Sequence, residues 1–112
     1  MEDMKKALDE VNKSLEAMGN AHPDFMGAFS NLMECACNEG SLSHKTKELI
    51  CIAIAVSKQC HWCIAYHVHK AIEAGATKDE IIESCFVAAL MGGGPALMYS
   101  QLVVKAMQEF EA

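Results

Sequence analysis

Leu49-Ile50-Cys51-Ile52-Ala53-Ile54-Ala55-Val56 decides the fold of this chain. An unbroken apolar run rich in β-branched residues suits a buried strand as well as a buried helix. No other stretch offers a strand to pair with it, and a lone strand leaves its backbone N–H and C=O groups unsatisfied. The run therefore reads as a helix that is apolar on every side. Ser41 or Ser43 caps it, and Thr46 and Glu48 occupy its opening turns.

Outward from this core, the other segments are helical too. Met4, Ala7, Leu8, Val11, Leu15 and Met18 form one stripe at helical period, and Gly19-Asn20 is placed to end that helix. Pro23-Asp24 opens a second helix, which stops near Asn38-Glu39-Gly40. Downstream, Ser57-Lys58-Gln59 is a short polar joint, and a helix then runs from about Cys60 to Ala74, with Gly75 as terminator. Thr77-Lys78-Asp79-Glu80 is a capping box for a fifth helix, through Leu90. Gly92-Gly93-Gly94 should break it, and Pro95 should start a sixth that ends near Phe110. The expectation is one all-α domain, residues 1–112, of about six helices, with no repeats or linkers.

Of the 112 residues, 52% are hydrophobic, more than so small a protomer hides easily, so a homo-oligomer is expected. A net charge of −6 excludes nucleic acid or an anionic membrane as the main partner, since both demand a basic surface. The run at residues 49–56 is too short to span a bilayer, and Met1-Glu2-Asp3-Met4-Lys5-Lys6 lacks an apolar signal core and reads as amphipathic helix. A soluble, cytosolic protein is expected. In a reducing compartment a C-x-x-C among the six cysteines serves catalysis or metal binding more often than structure.

That motif lies in Cys60-His61-Trp62-Cys63-Ile64-Ala65-Tyr66-His67. Positions i, i+3 and i+7 share a helical face, so Cys60, Cys63 and His67 line up. The first turn of a helix has unpaired N–H groups and a partial positive charge, which favour a thiolate. Cys60 and Cys63 thus read as a reactive dithiol, His67 as the acceptor of a thiol proton, and Glu48 as the group that orients the imidazole or passes the proton on. The helix dipole favours Cys60 as the attacking sulfur and proximity to the base favours Cys63; the second argument is adopted.

Other readings of these residues stand beside this one. Cys60, Cys63, His67 and Glu48 could bind zinc, although structural zinc sites usually gather two separated ligand pairs. A non-catalytic redox sensor needs the same dithiol. Thioredoxin-like chemistry needs a βαβ context that is missing. Cys51 and Cys85, in apolar helical runs, read as inert core residues. Cys35 and Cys37 lie about 200° apart around a helix and should not pair. His22 and His44, near helix starts, and His69 read as solvent groups, and His61 as either a tuner of the dithiol or merely exposed. Trp62 and Tyr66 wall the site or fill the core. The triple glycine lacks the lysine and preceding strand of a phosphate loop and reads as a tight helix–helix corner.

Glu48 followed by Cys60-x-x-Cys63-x-x-x-His67, then Glu73-Ala74-Gly75-Ala76-Thr77 and Met91-Gly92-Gly93-Gly94-Pro95-Ala96, resembles the carboxymuconolactone decarboxylase superfamily, and within it the AhpD-like alkylhydroperoxidase branch. The resemblance runs from about Leu42 to Tyr99, and the first two helices match only in being helical. It implies a helical protomer assembled into trimers or hexamers, with Cys60 and Cys63 as the redox-active pair and Glu48 and His67 as proton relay. It also implies reduction of hydroperoxides, directly or through a peroxiredoxin, or of disulfides, with a thiol donor restoring the pair. No metal or organic cofactor is required. Decarboxylation of a muconolactone, the superfamily's other named activity, needs no C-x-x-C.

Overall fold

The computed structural model describes residues 3–111. The readings of Met1 and Glu2 as helix, and of a domain reaching Ala112, lie outside these residues. Within them the chain is all-α, in five helices: α1 Met4–Ala21, α2 Pro23–Cys37, α3 His44–Ser57, α4 His61–Glu73 and α5 Lys78–Glu111. The decisive run is helix, as read.

Local chemistry sets the boundaries. Asp3 caps α1 by accepting from the Lys6 N–H at 3.0 Å. The helix passes through Gly19-Asn20, the expected stop, and ends at Ala21. The reason is Pro23, which disfavours helical backbone at the residue before it; His22 sits at φ −138° and ψ 71°. Pro23 then opens α2. Ser43 caps α3, accepting from the Thr46 N–H at 3.0 Å. The Thr77 capping box closes both ways, with Thr77 N–H to Glu80 Oε1 at 2.8 Å and Glu80 N–H to Thr77 Oγ1 at 3.1 Å.

The expected sixth helix is the second half of α5. Only Gly93 leaves helical geometry, at φ 73° and ψ −160°, and the chain resumes its helix at once through Pro95. One residue with glycine's freedom kinks the helix without ending it. The kink brings Gly92 against α3, where an added Cβ would lie 3.5 Å from Ser57 Oγ and 3.0 Å from the Ala96 Cβ. The close approach expected of the triple glycine is thus made by Gly92 alone, against a side chain, and nothing lies within 4 Å of a Cβ added at Gly94. By length and apolar composition α5 is the one described helix that could cross a bilayer. Dividing the chain at its glycines concealed that length, and in this fold α5 packs along α3 and α4.

α3 is the centre, flanked by α4 and α5, with α1 laid across α4 and α5. Ile52 and Val56 of α3 interlock with Ile64 and Val68 of α4, Ile81 and Val103 of α5 and Met4 of α1, all fully buried. Each contributes about 1.5–3 kcal/mol by leaving water. Only one stripe of α3 is consumed: Ile50 and Ile54 remain exposed, as do Phe86, Val87, Leu90 and Met91 on α5. α2 buries no residue and leans on α1.

Candidate functional site

α3 and α4 meet at a corner in which each residue has a backbone task. Gln59 takes the left-handed conformation, φ 57°. Its N–H bonds to the Val56 carbonyl at 3.2 Å, and the Cys60 N–H to the Ala55 carbonyl at 3.1 Å. That is a Schellman termination with glutamine where glycine is usual. Gly75 ends α4 by the same pair of bonds, its φ at 90°. Cys60 therefore closes α3 and also caps α4, accepting from the Cys63 N–H at 3.3 Å. The helix expected from Cys60 starts one residue later, and Cys63 lies in its first turn.

Cys60 and Cys63 are joined by a disulfide, Cα atoms 5.2 Å apart. Cys63 is exposed and Cys60 half-buried. One turn beyond Cys63, on the same face, His67 donates from Nδ1 to Glu48 Oε1 at 2.8 Å. A carboxylate can only accept, so this bond fixes the proton on Nδ1 and leaves the Nε2 lone pair available. Glu48 is buried on the inner face of α3. Burial opposes its ionisation, but the hydrogen bond and charge of His67, then His44 and the Cys37 thiol, prevail and hold its carboxyl below the ordinary 4.5.

Two hollows meet at His67. The first, about 180 Å³, is bounded by Val11, Leu15, Phe29, Met33, Trp62, Cys63 and Tyr66, so the exposed sulfur opens onto an apolar groove. The second, about 170 Å³, gathers the ionisable groups Glu48, His44, Cys37, Glu34 and Lys70 with Asn38. His67 borders both. Trp62 ties α1 to the site, donating from Nε1 to Glu10 Oε1 at 3.2 Å, and lies against His61 at a tilt of 37° with ring centroids 3.9 Å apart.

All four residues read from the sequence thus converge, Glu48 with His67 by direct contact and Cys63 with His67 across the groove. Three further groups gather at Glu48 that the sequence reading assigned elsewhere. His44, expected in solvent, is half-buried, donates from Nδ1 to the Cys37 carbonyl at 2.6 Å and lies 4.0 Å from Glu48 Oε2. Cys51, expected to be inert core, sits beside Glu48; burial, then the charge of Glu48, pushes its thiol up to about 11. Cys37 lines the same hollow as Glu48, and burial followed by the charge of Glu48 raises its thiol as well. Two of the three were legible, since His44 is i−4 and Cys51 i+3 from Glu48. Cys37 is brought in by the turn between α2 and α3. His69, also expected in solvent, stacks edge-on against Phe110, centroids 5.4 Å apart. Cys85 is buried core, as read, with its thiol raised by burial.

The fold and this arrangement define a helical dithiol protein, with a C-x-x-C pair at a helix start backed by a buried carboxylate. The model of the carboxymuconolactone decarboxylase family matches residues 23–106, and the chain belongs to that family. The match is wider than the motif-bearing residues 42–99, taking in α2 as well. An uncharacterised protein of Cupriavidus necator is 39% identical over 110 residues, 98% of this chain and 95% of that one. A Paracoccus denitrificans protein of the cox locus is 31% identical over 105 residues, 94% of this chain and 95% of its own. Among solved structures, a family member from Legionella pneumophila in its apo form is 37% identical, covers 97% of both chains and superposes with a TM-score of 0.94. A Thermotoga maritima member, described as a candidate participant in antioxidative response, is 26% identical with a TM-score of 0.81, covering 93% of this chain and 89% of that one.

Proposed function

We propose that this protein is a thiol–disulfide oxidoreductase that reduces hydroperoxides, or disulfides, with the Cys60–Cys63 dithiol. The observation that carries the reading is an exposed Cys63 at the mouth of an apolar groove, disulfide-linked to Cys60 and backed by the His67–Glu48 hydrogen bond. In the reduced protein, His67 Nε2 takes the Cys63 proton, and Glu48 stabilises the resulting imidazolium. The Cys63 thiolate attacks the outer oxygen of a hydroperoxide. The O–O bond breaks, the proton on His67 goes to the departing alkoxide, and Cys63 becomes a sulfenic acid. The Cys60 thiol then displaces water from that sulfur, closing the disulfide. Two electrons have passed from the dithiol to the peroxide, a step a peroxiredoxin disulfide can take in its place, and a thiol donor returns them.

Cys63 is the attacking sulfur because it is the more exposed and lies one turn from the base, while Cys60 resolves from the cap position. The fit of an apolar groove to an alkyl or aryl peroxide, and the description of the Thermotoga maritima relative, support the same reading. Decarboxylation would leave the dithiol without a task. The exposed apolar residues of α5, Leu90 and Met91 foremost, support assembly with further copies of the chain in a cytosolic ring.

The test is turnover. Reduced protein with cumene hydroperoxide and a dithiol reductant should consume peroxide catalytically, and Cys63→Ser should abolish this. Oxidation that stops after one equivalent with peroxides and disulfides alike, whatever the donor, would defeat the reading. Light scattering coupled to size exclusion should give a multiple of the 12.2 kDa chain, and a monomer would remove the ring.

A further inference from the structure

Two of the thiols at Glu48 take no part in this chemistry, yet the fold collects them in one place. A carboxylate oxygen of Glu48, the sulfur of Cys51 and an imidazole nitrogen of His67 all lie within 4.8 Å of one another. Glu48 and Cys51 are one turn apart on α3, and His67 reaches them from α4. Cys37, from the end of α2, lines the same hollow as Glu48 and His67. Two helices thus deliver one oxygen, one nitrogen and one sulfur to a single spot, and a third brings the Cys37 thiol to its edge. The hollow of about 170 Å³, lined by Cys37, Glu48 and His67, gives an ion a way in.

We propose that Glu48, Cys51 and His67, with Cys37 as fourth donor, bind a thiophilic divalent cation, zinc in a cell. Thiolate, imidazole and carboxylate are the ligands zinc takes, and soft sulfur disfavours magnesium and calcium. In a tetrahedral site with bonds near 2.0–2.3 Å, donors stand roughly 3.3–3.8 Å apart, so rotamer-scale shifts bring Glu48, Cys51 and His67 onto one ion. The dithiol takes no part, which separates this site from a zinc reading built on Cys60 and Cys63. A cation held through Nδ1, the nitrogen already facing Glu48, would move the imidazole proton to Nε2 and withdraw the base from Cys63. That consequence rests on the oxidoreductase reading; the binding does not.

The experiment uses the full chain carrying Cys60→Ser and Cys63→Ser, reduced and metal-free, so that the dithiol cannot contribute ligands. Zinc titrated against a chromophoric chelator should bind at one ion per chain, and cobalt should give a near-ultraviolet thiolate charge-transfer band. Adding Cys51→Ala should weaken zinc by more than the roughly 10- to 100-fold that loss of a supporting group causes, and diminish the band. Adding Cys35→Ser, at an exposed position, should change neither. Cys51→Ser, which keeps the side-chain shape, should behave as Cys51→Ala. Absence of a stoichiometric ion, absence of the band, or affinity unchanged by both Cys51 variants would overturn the proposal. If zinc binds this variant but leaves peroxide oxidation of the wild-type protein unslowed, the relay reading fails and the cation site stands.

Discussion

Replacing Glu48 by glutamine keeps the side chain's shape and removes its charge. The amide oxygen can still accept the Nδ1 proton of His67, so the tautomer survives and only stabilisation of the imidazolium is lost. At 2.8 Å the bond to the ionised carboxylate is charge-assisted, worth about 1.5–3 kcal/mol against about 0.5–1.5 for the neutral amide that replaces it. The His67 side chain is 21% exposed, so water screens little of the difference. A barrier raised by about 1–1.5 kcal/mol slows proton transfer from Cys63 about tenfold. The assay is single-turnover oxidation of reduced protein by cumene hydroperoxide, followed through Trp62, which lines the groove beside Cys63. The wild-type to Glu48→Gln rate ratio should be about ten near neutrality and should shrink towards one below pH 4.5, as the wild-type carboxyl takes up a proton. A ratio of one at neutral pH, or a ratio that ignores pH, would refute the relay.

Four further outcomes follow from the geometry. Gln59→Gly removes a left-handed glutamine from the α3 terminus and should stabilise the protein by about 0.5–1 kcal/mol in urea; a loss of stability would contradict the termination described. Gly93→Ala forces a side chain onto φ 73° and ψ −160° and should cost about 1–3 kcal/mol, read as a lower denaturation midpoint; a neutral effect would mean that the kink relaxes freely. Reducing the disulfide opens a ring of only a few residues, worth about 2 kcal/mol of chain entropy at most, so the melting temperature should fall modestly and the far-ultraviolet spectrum should stay helical. Glu48 has a folded pKa below its unfolded value, so it stabilises the fold above about pH 4.5 and loses that contribution as pH falls through the folded pKa. Wild type should therefore lose stability on acidification more steeply than Glu48→Gln, and parallel acid limbs would show that the ion pair is unimportant to the fold.

The parts of this structure legible in sequence are those whose signals are local. Pro23, Ser43, Gly75 and the Thr77 box mark helix ends because each satisfies or removes a backbone donor within one turn, and the structure uses all four. Glu48, Cys63 and His67 were readable because α-helical period alone puts two of them on one face. Other features resisted for physical reasons. Nothing in a glutamine announces a left-handed residue, so the corner at Gln59 read only as a short polar joint; its conformation follows from packing α4 back onto α3. Three glycines overstated the break at Gly93, since the helix needed only one of them to bend. Cys37 lies across a turn from Cys51, and only tertiary packing sets the two thiols against the same carboxylate. Ile50 and Ile54 made α3 look buried all round, whereas the protomer covers a single stripe of it.

Cys60 belongs to two helices at once, and this makes chain length the guarded quantity at the corner. Lys58 faces water and can vary freely, while Gln59 must hold a left-handed backbone and Ser57 meets Gly92. Residues 57–59 have no such freedom in number. One residue more or fewer would separate the end of α3 from the cap of α4, so that a different side chain met the Cys63 N–H. The usual tolerance of surface connections for insertion and deletion is suspended here. Among family members, drift should therefore show as substitution at the joint, with gaps displaced to the turn between α2 and α3.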